Sequence, residues 1–238
     1  GKDSIWNMWW AQEKFGTGNV LASHISGLNR ANASMERKYA ERQRQEFGFE
    51  NFSVINLRNG SQNRGYGVMR SRDIFLVGIT VPVALGFGAS KIIIEGFAET
   101  KETEPFSGQA RNMDLFSRTL GEMGIPVRVA WRNRQEMDVM KDLFQNRPEW
   151  VPHICNCFSI PCYQPNLRRS WQRNAPTLKL YDSQCGSCVK CRITNLGRIL
   201  YDPDISSVRK EDILVFLRNT ANWMKINRVK LGDMVEGS

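Results

Sequence analysis

The chain has only two histidines among 238 residues, and neither stands where it could activate a thiol, which argues against cysteine-nucleophile catalysis. No run of about 18 apolar residues occurs, the length a membrane-spanning helix needs. The start carries neither a basic n-region nor the apolar stretch of a signal peptide. The expectation is a soluble, intracellular protein with no membrane partner, and the cytoplasm is the default compartment. Cysteine is sparse, six in all, and half of it is clustered, which fits a reducing compartment better than a disulfide framework. No internal repeat or low-complexity tract is present, so a solenoid is not expected. Acidic residues are the minority charge, 24 against 33 lysines and arginines, a formal net charge of +9. That excess favours a polyanionic partner such as nucleic acid or a nucleoside triphosphate. The basic residues are scattered over nearly every segment, however, so a solvated positive surface is the competing explanation. Hydrophobic residues make up 41%, enough to bury one substantial core.

The cysteine cluster is the most informative stretch. Cys185, Cys188 and Cys191, in YDSQCGSCVKCR, stand at C-x2-C-x2-C, and Cys162 lies 22 intervening residues upstream. Tight turns can aim three thiolates at one point and a distant fourth can complete a tetrahedral zinc site. Packing gives buried cysteines no reason to prefer a two-residue gap. A disulfide and an iron–sulfur cluster are the alternatives. His153, Cys155 and Cys157 form a second small group, HICNC, any of which could replace Cys162. Such a site staples a loop-rich region and does not by itself specify an activity.

Along the chain, strands alternate with helices. The apolar run Ile5 to Phe15 reads as a helix with Trp6, Trp9, Trp10 and Phe15 on one side and Asp3 or Ser4 as its N-cap. Strands are expected over 18–26, 51–57, 91–97 and 125–131, and helices over 34–47, 72–87, 109–123, 133–144 and 209–225. Pro82 should kink or interrupt the helix over 72–87. Met113, Phe116, Leu120 and Met123 should share one helix face. His24, in an apolar strand, reads as a satisfied core histidine. The expected fold is α/β: a parallel sheet flanked by helices over residues 1–148, with a small C-terminal zinc-binding lobe and closing helix over 149–238. Ligands of such sheets bind outside the carboxyl ends of the strands, where the segments 26–33, 58–71 and 98–108 would lie.

Four features in order resemble the 7-cyano-7-deazaguanine synthase family of the N-type ATP pyrophosphatases, whose fold is adenine nucleotide alpha hydrolase-like. Gly1-Lys2-Asp3-Ser4 resembles the second half of the SGG-x-DS pyrophosphate loop, so the leading Ser-Gly and a first strand are expected before it. Arg70-Ser71-Arg72-Asp73 resembles the P-G-R-N segment. Glu99-Thr100 and Ser107-Gly108 after a strand resemble the substrate loop, and Cys162-Tyr163 with C-x2-C-x2-C resembles the zinc motif. The chain departs from the family at Ser71, in the longer spacing from Glu99 to Ser107, in an insertion over 168–181, and at Arg134, where lysine is expected.

The resemblance implies adenylation of a 7-carboxy-7-deazaguanine-type carboxylate by ATP with Mg2+, then conversion to amide and nitrile with ammonia, on a protein carrying Zn2+. It implies Gly1, Lys2, Asp3, Ser4 and Arg72 at the nucleotide, Asp3, Ser4 and Arg134 in the chemistry, and Glu99, Thr100, Ser107 and Gly108 at the deazapurine. Cys162, Cys185, Cys188 and Cys191 would hold zinc. A homodimer is compatible with it. One alternative is a divergent relative that passes the activated deazapurine to an amine on a protein or nucleic acid. An alternative of another class is a zinc-stapled module that binds nucleic acid without catalysis.

Overall fold

Helix and strand segments follow one another in the order α1 (Lys2–Phe15), β1 (Leu21–Ser26), α2 (Ala33–Glu46), β2 (Asn51–Asn56), α3 (Arg72–Phe87), β3 (Lys91–Glu95), α4 (Ala110–Glu122), β4 (Arg128–Arg132), α5 (Glu136–Asn146), α6 (Val189–Tyr201) and α7 (Lys210–Ile226). The computed structural model describes residues 1–27, 33–57, 72–95, 110–132, 136–154, 189–202 and 204–226. The protein is mixed α/β, with short parallel strand pairs flanked by helices: β1 runs parallel to β2, and β3 to β4. A parallel pair needs a crossover connection, and α2 and α4 lie in those connections. Among the described residues the strands form two separate two-stranded pairs where one continuous sheet was expected. No helix of the described residues is long and apolar enough to cross a membrane. The chain divides into two compact units, Asn7–Asn133 and Gly1–Trp6 with Arg134–Ser238.

In the unit Asn7–Asn133, β-branched and aromatic residues alternate correctly for strands with two unlike faces. Ile92 pairs with Val129 and Ile94 with Trp131, and this face packs on Val77, Val81 and Ala84 of α3 and Met113 and Leu120 of α4. Each fully buried aliphatic side chain contributes about 1.5–3 kcal/mol relative to exposure. The stripe expected on α4 stops at Leu120: Met123 is 68% exposed, because the helix ends at Glu122 and Met123 lies in the following turn. Helix α3 runs unbroken past Pro82. The proline is exposed, where water can satisfy the carbonyl that loses its N–H partner.

The carboxyl ends of β1 and β2 are locked backbone to backbone. The Leu57 N–H donates to the Ser26 carbonyl at 2.9 Å, and Gly27 follows at φ +92° with room for a Cβ only 2.4 Å from the Leu57 oxygen. No side chain fits there, which is why the strand ends on glycine. On α1, Trp10 and Phe15 meet edge to face at 5.8 Å, and the Arg132 guanidinium stacks 3.4 Å from the centre of the Trp10 ring.

In the other unit, α5 and α6 pack closely because α6 presents Gly197: a Cβ there would stand 2.8 Å from the Met140 Cβ. Met137, Met140, Leu143 and Phe144 of α5, Ile193 of α6 and Phe216 of α7 are buried. Helix α6 was not anticipated by the sequence reading, although Val189, Ile193, Leu196 and Leu200 recur at helical spacing. Trp6, expected on one side of α1 with Trp10 and Phe15, belongs here. It is buried, and its Nε1–H donates to Asp142 of α5 at 2.9 Å, so the expected aromatic stripe is divided.

Candidate functional site

A helix start exposes N–H groups with no intrahelical partner and concentrates positive partial charge, a combination suited to phosphate. The first helical bond of α1 runs from the Ile5 N–H to the Gly1 carbonyl at 3.1 Å. Gly1 therefore takes the capping position, and Asp3 and Ser4 lie inside the first turn. The expected N-cap role of Asp3 or Ser4 is corrected accordingly: a capping side chain must sit before the helix, and theirs sit within it. Asp3 still complements the helix dipole.

Lys2 is fully buried, and its Nζ donates to Asp3 Oδ1 at 2.6 Å. A buried ammonium is tolerable only when paired, so Lys2 acts from below the surface and holds Asp3 in place. Asp3 retains partial exposure, and Ser4 is exposed. The Trp6–Asp142 hydrogen bond and the buried Ile5 fix this first turn on its own unit.

Arg72 is the first residue of α3, directly after the segment that follows β2. Glu99, Thr100, Ser107, Gly108 and Arg134 lie outside the described residues. So do Cys162, Cys185, Cys188, Cys155 and Cys157. His153 closes the 3-10 turn Pro148–His153 and is partly buried.

Cys191 stands in the first turn of α6 and is 1% exposed. That placement suits a metal-binding thiolate, since a helix N-terminus stabilises the ionised sulfur. Next to it in sequence, Arg192 is 2% exposed and donates from Nη1 to the Thr220 hydroxyl of α7 at 3.0 Å. Cys191 closes the C-x2-C-x2-C motif and is the one proposed ligand among the described residues, which hold no group of three or more potential metal-ligating side chains. Sequence reasoning missed this Arg192–Thr220 link, which joins residues 28 apart. An arginine directly after a cysteine motif carries no signal of burial.

His24 is half-buried on β1, and its Nε2 has no hydrogen-bond partner among the described residues. The expectation of a satisfied core histidine is thus corrected at that nitrogen. Burial, with added repulsion from the Arg37 charge, holds its pKa below the usual imidazole value. Neutral imidazole can leave an acceptor nitrogen unpaired at far lower cost than a charged one. Compared with protein-family models and with curated proteins, the chain matches none.

Proposed function

We propose that the protein is an ATP-dependent enzyme of the 7-cyano-7-deazaguanine synthase type, with an N-type ATP pyrophosphatase fold and a C-terminal zinc lobe. One topological observation carries this proposal: the segments holding the proposed ligand residues follow the carboxyl ends of strands in parallel pairs. Arg72 comes after β2, Glu99 to Gly108 after β3, and Arg134 after β4. Ligands of parallel α/β sheets bind outside those ends. The helix start at Gly1–Ser4 supplies a second supporting feature, first-turn N–H groups of the kind that bind anions, beside an Asp3 carboxylate held by Lys2.

In the proposed reaction a carboxylate oxygen of the deazapurine attacks the α-phosphorus of ATP. The bond to the bridging oxygen breaks and pyrophosphate leaves with growing negative charge. Amides at the start of α1 and the Ser4 hydroxyl would stabilise that charge where it develops. Lys2 would act indirectly, by fixing the Asp3 carboxylate. Mg2+, held through Asp3 and the phosphates, would neutralise part of the phosphate charge. Ammonia then attacks the activated carbonyl carbon, AMP departs with the electrons of the C–O bond, and the nitrogen loses a proton to solvent. The amide oxygen then attacks the α-phosphorus of a second ATP, pyrophosphate leaves, and departure of AMP with the C–O bond electrons and loss of both amide protons to solvent yields the nitrile. Arg134 can hold phosphate or carboxylate with its planar fork but cannot exchange a proton as lysine can. Cys162, Cys185, Cys188 and Cys191 would hold a structural zinc ion.

The test is pyrophosphate release from ATP by the full natural polypeptide with 7-carboxy-7-deazaguanine, with and without ammonia. Deazapurine-dependent release and a nitrile product by mass spectrometry are expected. Release that stops at the adenylate or amide would favour transfer to another amine. No release with any deazapurine, from zinc-replete protein, would refute an ATP-dependent activity on this substrate class and leave the binding-module alternative.

A further inference from the structure

Where the strands begin, the face of the β3–β4 pair opposite its apolar core carries two cations. Strand partners in register place their side chains on the same face, and Lys91 is the register partner of Arg128. Ile92 and Val129, the next pair, point the other way into the core. Like charges directly opposite each other destabilise a strand pair, and both residues are exposed. A third cation joins them from α1. The Nζ atoms of Lys14 and Lys91 lie 5.7 Å and 5.9 Å from the centre of one ring, that of Phe15. They are therefore no more than about 12 Å apart, close enough for neighbouring phosphates of one strand to meet both. Lys14 also lies 5.0 Å from the centre of the Trp10 ring, which meets Phe15 edge to face. Lys14, Lys91 and Arg128 have no carboxylate partner among the described residues. By contrast, Arg44, Arg198 and Arg209 each pair with an acid on their own or an adjoining segment.

We propose that Lys14, Lys91 and Arg128, with the Phe15 ring that both lysines approach, form a binding site for the phosphodiester backbone of single-stranded nucleic acid. The anion supplies what the register denies, a counter-charge for two cations held opposite each other. Phe15 favours the single strand because an unpaired base can stack on a partly exposed ring, whereas duplex bases are already stacked. Lysines lying over the ring can swing to phosphates while a base takes their place. The net charge of +9 adds long-range attraction to the same partner. Lys91 and Arg128 begin their strands, whereas Arg72, Glu99 to Gly108 and Arg134 follow the opposite, carboxyl ends. Binding is accordingly independent of ATP and of the proposed reaction.

The experiment is fluorescence anisotropy with a labelled poly(U) RNA of about 20 nucleotides, long enough for a groove of this class, titrated from about 50 to about 200 mM salt. Lys14→Ala/Lys91→Ala/Arg128→Ala should weaken binding at least about ten-fold at low salt and reduce the magnitude of the log–log salt slope by about 2, at about 0.7 per phosphate contact. A control with the same loss of charge, Lys38→Ala/Arg118→Ala/Lys141→Ala, removes exposed cations elsewhere and should retain most of the affinity and slope. A measurement without substitution runs in parallel: the RNA should protect Lys14 and Lys91 of the wild-type protein from an amine-acetylating reagent, read by mass spectrometry. Absence of binding at low salt, equal losses in the two triple variants, or no protection of either lysine would overturn the proposal. Equal affinity for a duplex of the same length, with the same dependence on the three cations, would overturn the single-strand assignment.

Discussion

Replacing Gly27 by alanine separates two costs that the structure assigns to one residue. Gly27 has φ +92°, and an added Cβ would meet the Leu57 carbonyl oxygen at 2.4 Å. The conformational part is measured independently at Gly88, which has φ +76° with nothing within 4 Å of an added Cβ. An L-residue in the left-handed region costs about 1–2 kcal/mol, and the lower entropy of the unfolded alanine chain offsets about 0.4–1 kcal/mol of that. Gly88→Ala should therefore lose about 1 kcal/mol. Gly27→Ala adds a collision with backbone that no rotamer change can relieve, and overpacking of this kind costs about 1–3 kcal/mol more. The expected total is about 2–4 kcal/mol, read from urea midpoints at unchanged m-value. The Leu57-to-Ser26 hydrogen bond lies at the same contact, so amide exchange at Leu57 should accelerate in Gly27→Ala and not in Gly88→Ala. If the two variants lose equal stability and Leu57 exchange is unchanged, the close approach of the β1 and β2 ends is refuted.

Trp6→Phe keeps most of the buried ring but removes the donor to Asp142, and should cost about 1.5 kcal/mol by urea unfolding, the lower range for a hydrogen bond to a charged acceptor. His24 has a folded pKa below its unfolded value. Between those two values the unfolded chain binds more protons, so stability should rise with pH through that window and level off above the unfolded pKa, near the ordinary imidazole value of about 6.5. Urea midpoints across the window should show this rise in the wild type and a flatter profile in His24→Gln; identical profiles would assign the dependence elsewhere. The zinc proposal expects metal bound in a fixed ratio to the chain by elemental mass spectrometry, and Cys191→Ser should lower that ratio and the Tm together. Full metal retention in Cys191→Ser would remove Cys191 from the ligand set.

Much of the architecture was legible because its causes are local. The helices over Ala33–Glu46 and Arg72–Phe87 and the strand Asn51–Asn56 fall within a residue or so of their expected limits. Their periodicity and flanking glycines act through backbone geometry within a few residues. The expectations that needed correction concern helix ends and neighbours. Asp3 and Ser4 read as caps until the helix is seen to begin at Lys2. Met123 reads as core until the turn after α4 carries it into solvent. Helix α6 was overlooked because the cysteine motif runs directly into it, and its buried positions include Arg192, Thr194 and Asn195, residue types that periodicity rules score as surface.

By itself, the amino-acid sequence determined the alternation of helices and strands, the positive charge and the cysteine spacing, all of which follow from residue type and separation along the chain. The tertiary structure alone decided that Lys2 is buried against Asp3, that Arg192 reaches Thr220, and that Lys91 faces Arg128 across a strand pair. Burial and strand register arise from contacts between segments distant in sequence. The same lysine or arginine can be a solvated charge, a buried positioning group or part of an anion site, and its distant neighbours decide which.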